Sequence, residues 1–388
     1  MRSPLSRLSM GLAALGSGAA LLACEIVFPT VLSKDQVSDA GDASVDAPIT
    51  DARPLDATTK PDSTGPGCGM SPPPPPMTPA ALGPQALLAA VQSVYVAEDA
   101  GPIAALGFDL DCVDTCPGPP SCVSPQTHCD QSDGRDLAAN VFVQAVQDLQ
   151  GSSGTQTLNG LISAGKAGAL LYLSGYNGEA DDSEVLISAI ESTGIVSDVE
   201  AGTRAGPKWD GTDKWNVDPT SVLGVSVDDA GYHYTPRVVS TQAYVTNYTL
   251  VATVSGLPIP LGSTTITLSH AFVVATLTPV AGVGYRVDGQ LAGRVSTLSI
   301  LSVLATVKDP IDPTQFLCGN DGTFQSLLTS FCSSADIMFD PSLDRTDASC
   351  DSLSISIGFV AISAQFGAEY PKDPLILGCD GSVTDCPR

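Results

Sequence analysis

The stretch 237–291, RVVSTQAYVTNYTLVATVSGLPIPLGSTTITLSHAFVVATLTPVAGVGYRVDGQL, decides the fold class. It is rich in β-branched residues, and turn signals at Gly256-Leu257-Pro258, Ser269-His270 and Gly282-Val283-Gly284 cut it into strand-length pieces. Those pieces predict strands over 238–254, 259–268, 271–279 and 285–291. Working outward, similar runs occupy 91–97, 103–110, 168–175, 184–190, 222–228 and 353–365. Short strands in succession with Gly/Pro turns predict a mainly β body, a β-sandwich or jelly roll. A few short helices punctuate it. Asp136 can cap a helix over 137–149, and 157–168 is a shorter candidate. The segments 297–307 and 323–331 predict a helical insertion.

At the N-terminus, Arg2 and Arg7 precede an apolar run over 10–22 that ends in Leu21-Leu22-Ala23-Cys24. About a dozen apolar residues are too few to span a bilayer, which takes roughly 20. They suit the core of an export signal, and Ala23 suits the position before a cleavage site. The arrangement resembles the signal peptide and lipobox of bacterial lipoproteins. That resemblance implies that 1–23 is removed and that Cys24 is acylated. Several acyl chains on Cys24 would then anchor the protein in the cell envelope, where one chain alone would hold it only marginally. The alternative is an ordinary secretory signal followed by cysteine. Glu25 after Cys24 favours the outer membrane by the sorting habit of enteric lipoproteins.

Residues 24–80 predict a tether. Asp-Ala dipeptides recur at Asp39, Asp42, Asp46, Asp51 and Asp56, and Pro72 to Pro76 follow. Low hydrophobicity with excess negative charge cannot offset the entropy of ordering, and a proline run is extended and stiff. The globular body then runs over 81–370, with a cysteine-containing tail over 371–388.

The chain carries 17 Lys and Arg against 42 Asp and Glu, a net charge of −25. Removal of Arg2 and Arg7 leaves 15 against 42, or −27. Such a charge argues against nucleic acid, which is held by Lys and Arg, and against electrostatic attraction to anionic lipids. Divalent cations remain suitable partners. Of the 42 acids, 35 are Asp, a residue that favours turns and caps over helix interiors.

With Cys24 set aside, ten cysteines remain, which in an exported chain reads as up to five disulfides. The expected pairs lie within Cys112, Cys116, Cys122 and Cys129, between Cys318 and Cys332, and between Cys379 and Cys386. The first four cysteines with His128 offer zinc as the alternative, at looser spacing than structural zinc sites use.

Three constellations carry candidate chemistry. Asp109, Asp111, Asp114, Asp130 and Asp133 share a cysteine-rich loop, and clustered short carboxylates suit Ca²⁺, which takes six to eight oxygens. The alternative is a solvated acidic loop with Asp136 as a helix cap. Trp209, Asp210 and Trp215 would suit a sugar-stacking contact surface if exposed, or act as loop anchors if buried. Glu179, Asp181, Asp182 and Glu184 could supply a glycosidase-like carboxylate pair, or form an ordinary polar loop. Nucleophile elbows, P-loops and dinucleotide fingerprints are absent from the sequence, and Ser163-Ala-Gly-Lys166 lacks the partner motifs of a β-lactamase.

The body as a whole resembles a group of myxobacterial lipoproteins of unknown function. Gly107-Phe-Asp-Leu-Asp111, Gly175-Tyr-Asn-Gly178 with Asp181-Asp182, Trp209-Asp-Gly211 with Trp215, and Gly289-Gln-Leu-Ala-Gly-Arg294 carry that resemblance. It implies an origin and no activity. The expectation is a lipid-anchored binding or structural module without a catalytic centre. Calcium would order its acidic loop, and a glycan or an envelope protein would be its partner. An exported glycosidase-like hydrolase using the 179–184 carboxylates is the alternative, and a purely structural envelope component a third.

Overall fold

The computed structural model describes residues 71–79, 81–96, 106–116, 118–139, 154–195, 206–229, 231–261, 264–306, 309, 314, 316–318, 322–345, 347–372 and 386. Cys24, Cys379, most of the 24–80 tether and the greater part of the 137–149 helix lie outside them. In chain order the strands are β1 (Gln85–Tyr95), β2 (Gly168–Tyr176), β3 (Asp182–Ile195), β4 (Lys214–Val217), β5 (Val222–Asp228) and β6 (Gly231–Pro236). They continue as β7 (Ser240–Thr246), β8 (Thr249–Leu261), β9 (Thr264–Val280), β10 (Gly284–Ser296), β11 (Ser352–Ser363) and β12 (Gln365–Glu369). Among the described residues they are accompanied by the α-helices α1 (Gly154–Ser163), α2 (Thr297–Leu304) and α3 (Gly322–Ser333).

The body is mainly β, and it is a closed barrel instead of the expected sandwich or jelly roll. The order β3-β2-β1-β11-β10-β9-β8-β7 is antiparallel throughout, and β7 returns to pair with β3. Asp182 faces Val245 and Val185 faces Ala243 across that closing seam. Alternation in a strand is the same whether its sheet packs on a second sheet or curls onto itself, so only this pairing separates the two architectures. Beyond Ile187, β3 leaves β7 and pairs with β4, which β12 joins in parallel.

The period-2 pattern sends one side of every barrel strand inward. Leu87, Leu173, Ile187, Ala243, Leu250, Val273, Leu277, Val287 and Phe359 meet there. Gly289 lets Phe359 in, since a Cβ on it would stand 2.7 Å from the Phe359 ring and 2.5 Å from the Ala275 methyl. The filled interior leaves an apolar crevice between Leu171, Ile187, Val238, Val254 and Val273 with room for about one water. Gln242, Thr276, Asp288 and Gln290 point outward from the same strands.

Turn chemistry explains where strand boundaries depart from expectation. The run 238–254 is cut by a two-residue hairpin at Asn247 and Tyr248, both at positive φ (49° and 59°), which matches the twist of the flanking strands. Asn247 and Tyr248 therefore form the turn, and Thr249 opens β8. Gly256-Leu257-Pro258 does not turn at all, because β8 runs on to Leu261. At Ser269-His270 the chain makes a β-bulge inside β9: Ser269 faces Arg294, Phe272 faces Ala292, and His270 takes φ 45°. Gly282-Val283-Gly284 is a true turn. Residues 106–110, expected as strand, are irregular.

The disulfides differ in part from the expected pairs. Cys116–Cys129 falls within the 112–129 cluster, but Cys122 reaches Cys350 and Cys332 pairs with Cys386. The pairings Cys318–Cys332 and Cys379–Cys386 are thus replaced, because Cys386 packs with Cys332 against the apolar cluster that holds Phe324 and Leu328. Cys112 and Cys318 are disulfide-bonded as well. With all four cysteines of the 112–129 cluster oxidised and His128 directed to the Ser333 carbonyl (3.1 Å), the zinc alternative has no thiolates there.

Candidate functional site

The outward faces of β10 and β11 are not bare. Arg294 on β10 and Ser352, Ser354 and Ser356 on β11 are buried, and two irregular segments, 106–139 and 334–351, lie over them as an outer layer. Cys122–Cys350 joins the two segments, and Val123 and Cys350 exchange backbone hydrogen bonds with the opposite segment. Arg294, 1% exposed, holds the layer to the barrel. Its guanidinium donates to the carbonyls of Leu110 (2.6 Å) and Met338 (2.8 Å) and grips Asp344 through both oxygens (2.8 and 2.7 Å).

Within this layer Asp109, Asp111 and Asp136 converge, each offering a carboxylate oxygen within 4.8 Å of the others. Local hydrogen bonds aim them. Asp109 accepts from the Cys112 amide (2.7 Å), Asp111 from the Val113 amide (2.8 Å), and Asp136 reaches back to the Leu110 amide (2.6 Å). Asp130 holds the Thr115 amide (2.6 Å) and hydrogen-bonds the Asp136 side chain. From the other segment comes Asp336, half-buried, accepting from Ser354 through its amide (2.9 Å) and hydroxyl (2.6 Å).

Crowding acids out of water disfavours their charged forms. Burial, with the charge of Asp111 adding to it, pushes Asp336 up to about 7. Burial, then Asp344 and Asp130, pushes Asp111 up to about 6, against the pull of its Ser121 and Val113 hydrogen bonds. Asp136 is driven well above the usual carboxylate range by burial, then by Asp111 and Asp336, and Asp130 is raised chiefly by burial. The cluster therefore favours a positive charge in its midst, either protons or a cation. Oxygens sharing one Ca²⁺ at roughly 2.4 Å lie no more than about 4.8 Å apart, a spacing that Asp109, Asp111 and Asp136 satisfy.

The sequence-predicted residues divide accordingly. Asp109, Asp111 and Asp130 come together. Asp114 is exposed and reaches the group only as a charge near Asp130. Asp133 is turned away and exposed, paired with Arg135 at 2.8 Å, which holds its carboxyl below the usual range. Asp136 belongs to the cluster, and Asp336 joins it from 206 residues beyond Asp130, with no local pattern to mark it.

The other two constellations have structural work. Trp215 is fully buried in a second core on the outside of β2 and β3, with Leu170, Ile190 and Tyr234, and Trp209 leans on it at 5.5 Å between ring centroids. This removes Trp215 from any exposed contact surface. Asp210 remains exposed and bonds Thr212, while Asp213 fixes the Trp209 amide at 2.7 Å. In the 179–184 segment, Asp182 is buried and accepts from the Asn177 amide (2.8 Å), and Asp181 accepts from the Asn247 amide (2.8 Å). Both carboxylates order turns at one end of the barrel.

A further buried charge cluster was not marked by any motif. Glu191 and Asp218, nearly inaccessible, share Lys372, which pairs with Glu191 and stands 3.9 Å from Asp218. Thr265 on β9 donates to Glu191 at 2.8 Å. The group ties the segment after β12 across β3 and β9.

Compared with protein-family models, curated proteins and solved structures, the chain matches none. Among the described residues no helix is long and apolar enough to cross a membrane.

Proposed function

We propose that this chain is a lipid-anchored cell-envelope protein, held at Cys24 on an acidic stalk, whose barrel serves as a binding or structural module with a calcium-ordered outer layer. The observation that carries the calcium part is the convergence of Asp109, Asp111 and Asp136 within 4.8 Å, with Asp130 and Asp336 beside them. The donors are all hard oxygens, and the acids are destabilised as anions without a cation between them. The anchor rests on the Leu21–Cys24 junction and its preceding apolar run, and the outer membrane on Glu25. Palmitate labelling lost in Cys24→Ala tests the anchor.

The calcium reading is tested by melting the full chain with Ca²⁺ and with chelator. A ligand at 100 times its Kd adds about 2.7 kcal/mol to the native state, so the melting point must rise. Asp136→Asn should abolish that rise while Asp133→Asn leaves it intact. No rise in the native chain, or an equal rise in Asp136→Asn, removes calcium from the proposal.

A further inference from the structure

Among the described residues, the β5–β6 hairpin leaves one strand edge unpaired on the surface. β6 packs against β12 and β3, so β5 is outermost, paired only with β6 in a two-stranded sheet among the described residues. The ribbon has two unlike faces. Ser226 and His233 stand opposite each other on one, where His233 bonds Asp228 at 2.9 Å. Val225 opposite Tyr234, and Val227 opposite Tyr232, make the other. Among the described residues, only the base of that apolar face is covered, by Tyr234 against Phe366. Leu223 and Val227 are each 64% exposed and Val225 43%. A lone two-stranded ribbon is marginal in water, and an uncovered β-branched edge is a template for another strand. The one register shift of the ribbon lies at the start of β5, between Val222 and Gly224, and neither Lys nor Pro occurs in Val222–Asp228.

We propose that β5 pairs antiparallel with β5 of a second copy of this chain, about a two-fold axis at Val225. In that register the inner residues 223–227 are self-complementary by residue class, while Val222 meets Asp228. Leu223 would face Val227 of the second copy and Gly224 would face Ser226, so apolar meets apolar on one face and small meets small on the other. Charge fits as well. The Arg237 guanidinium is held at the start of β5 by the carbonyls of Thr220 (2.8 Å) and Val222 (3.1 Å). The two-fold brings Asp228 and Asp229 of one copy opposite Val222 and Ser221 of the other, beside that guanidinium, twice by symmetry. An anionic bilayer is a poorer occupant, because it repels Asp228 and Asp229 and offers no counterpart to the Arg237 of a second copy. One pair of seven-residue strands buries less than the ~800 Å² per partner of stable complexes, so the dimer is weak and concentration-dependent.

The test uses the full chain with its disulfides intact. Sedimentation velocity over a concentration series should show a reversible monomer–dimer equilibrium, abolished in Val225→Lys without a change in melting point. Val225→Cys should be captured as a dimer by a short thiol cross-linker, and exposed His233→Cys, on the far strand, should not. A chain that stays monomeric with no Val225→Cys capture overturns the proposal, as does equal capture of both cysteine variants. Vesicle binding by a monomer, lost in Leu223→Asp, would overturn it in favour of a membrane contact.

Discussion

Replacing Arg294 with methionine, which keeps much of the volume and removes the charge, should loosen the outer layer from the barrel. The side chain is 1% exposed, donates four hydrogen bonds, and faces Asp344, whose side chain is 10% exposed. Methionine leaves Asp344 without its cation and the carbonyls of Leu110 and Met338 without their donor. Breaking one side of a buried pair costs about 3–5 kcal/mol, and the orphaned carbonyls contribute within that figure because all four bonds fail together. Against a total stability of about 5–15 kcal/mol the loss is a large fraction. At about 2–4 °C per kcal/mol it lowers the melting point by about 6–20 °C. Urea melts of wild type, Arg294→Met and the double variant Arg294→Met/Asp344→Met measure it. The double variant should recover most of the loss, because the buried charge leaves with its partner. Since Arg294 also fixes the carbonyl between Asp109 and Asp111, Arg294→Met should show a smaller calcium-induced rise than wild type. A loss under about 1 kcal/mol, or a double variant no better than the single one, would refute the role of Arg294 as the clamp.

Two further outcomes follow from the buried acids. In chelator, stability should fall as pH rises from about 4 to above 7. Asp111 and Asp336 hold their protons to about 6 and about 7 in the native state but release them near 3.8 when unfolded. The native state therefore binds more protons across that window, and each pH step upward favours unfolding. With Ca²⁺ the trend should weaken or reverse, because the ion takes the place of the protons and binds more tightly as they leave. Melting points measured at pH 5 and pH 8, with and without calcium, decide this: a chelated protein equally stable at both refutes the raised carboxyls. Lys372→Met should cost about 1–3 kcal/mol, discounted for the partial exposure of the lysine, by leaving Glu191 and Asp218 facing each other. Lys372→Arg should retain part of the stability, and an unchanged urea midpoint in Lys372→Met would show that the cluster carries no net weight.

The mainly β class was legible in 237–291, because alternation and turn residues are local properties that survive any tertiary arrangement. The acidic loop was legible for the same reason: Asp109, Asp111 and Asp130 are close in sequence and concentrated beside cysteines. The proposed anchor at Leu21–Cys24 likewise rests on a few adjacent residues. What lay beyond local pattern was every decision made by distant segments. Whether the strands form two sheets or one closed wall depended on β3 meeting β7, and Trp215 became core because β4 packs beside β3. Asp336 entered the carboxylate cluster, and Arg294 met Asp344, only because 334–351 folds over β10 and β11. Periodicity, charge and local turns follow from neighbouring residues and can be read along the chain. Which carboxylates share a site, and which edge stays open, depend on where remote backbone comes to rest, and no local pattern carries that.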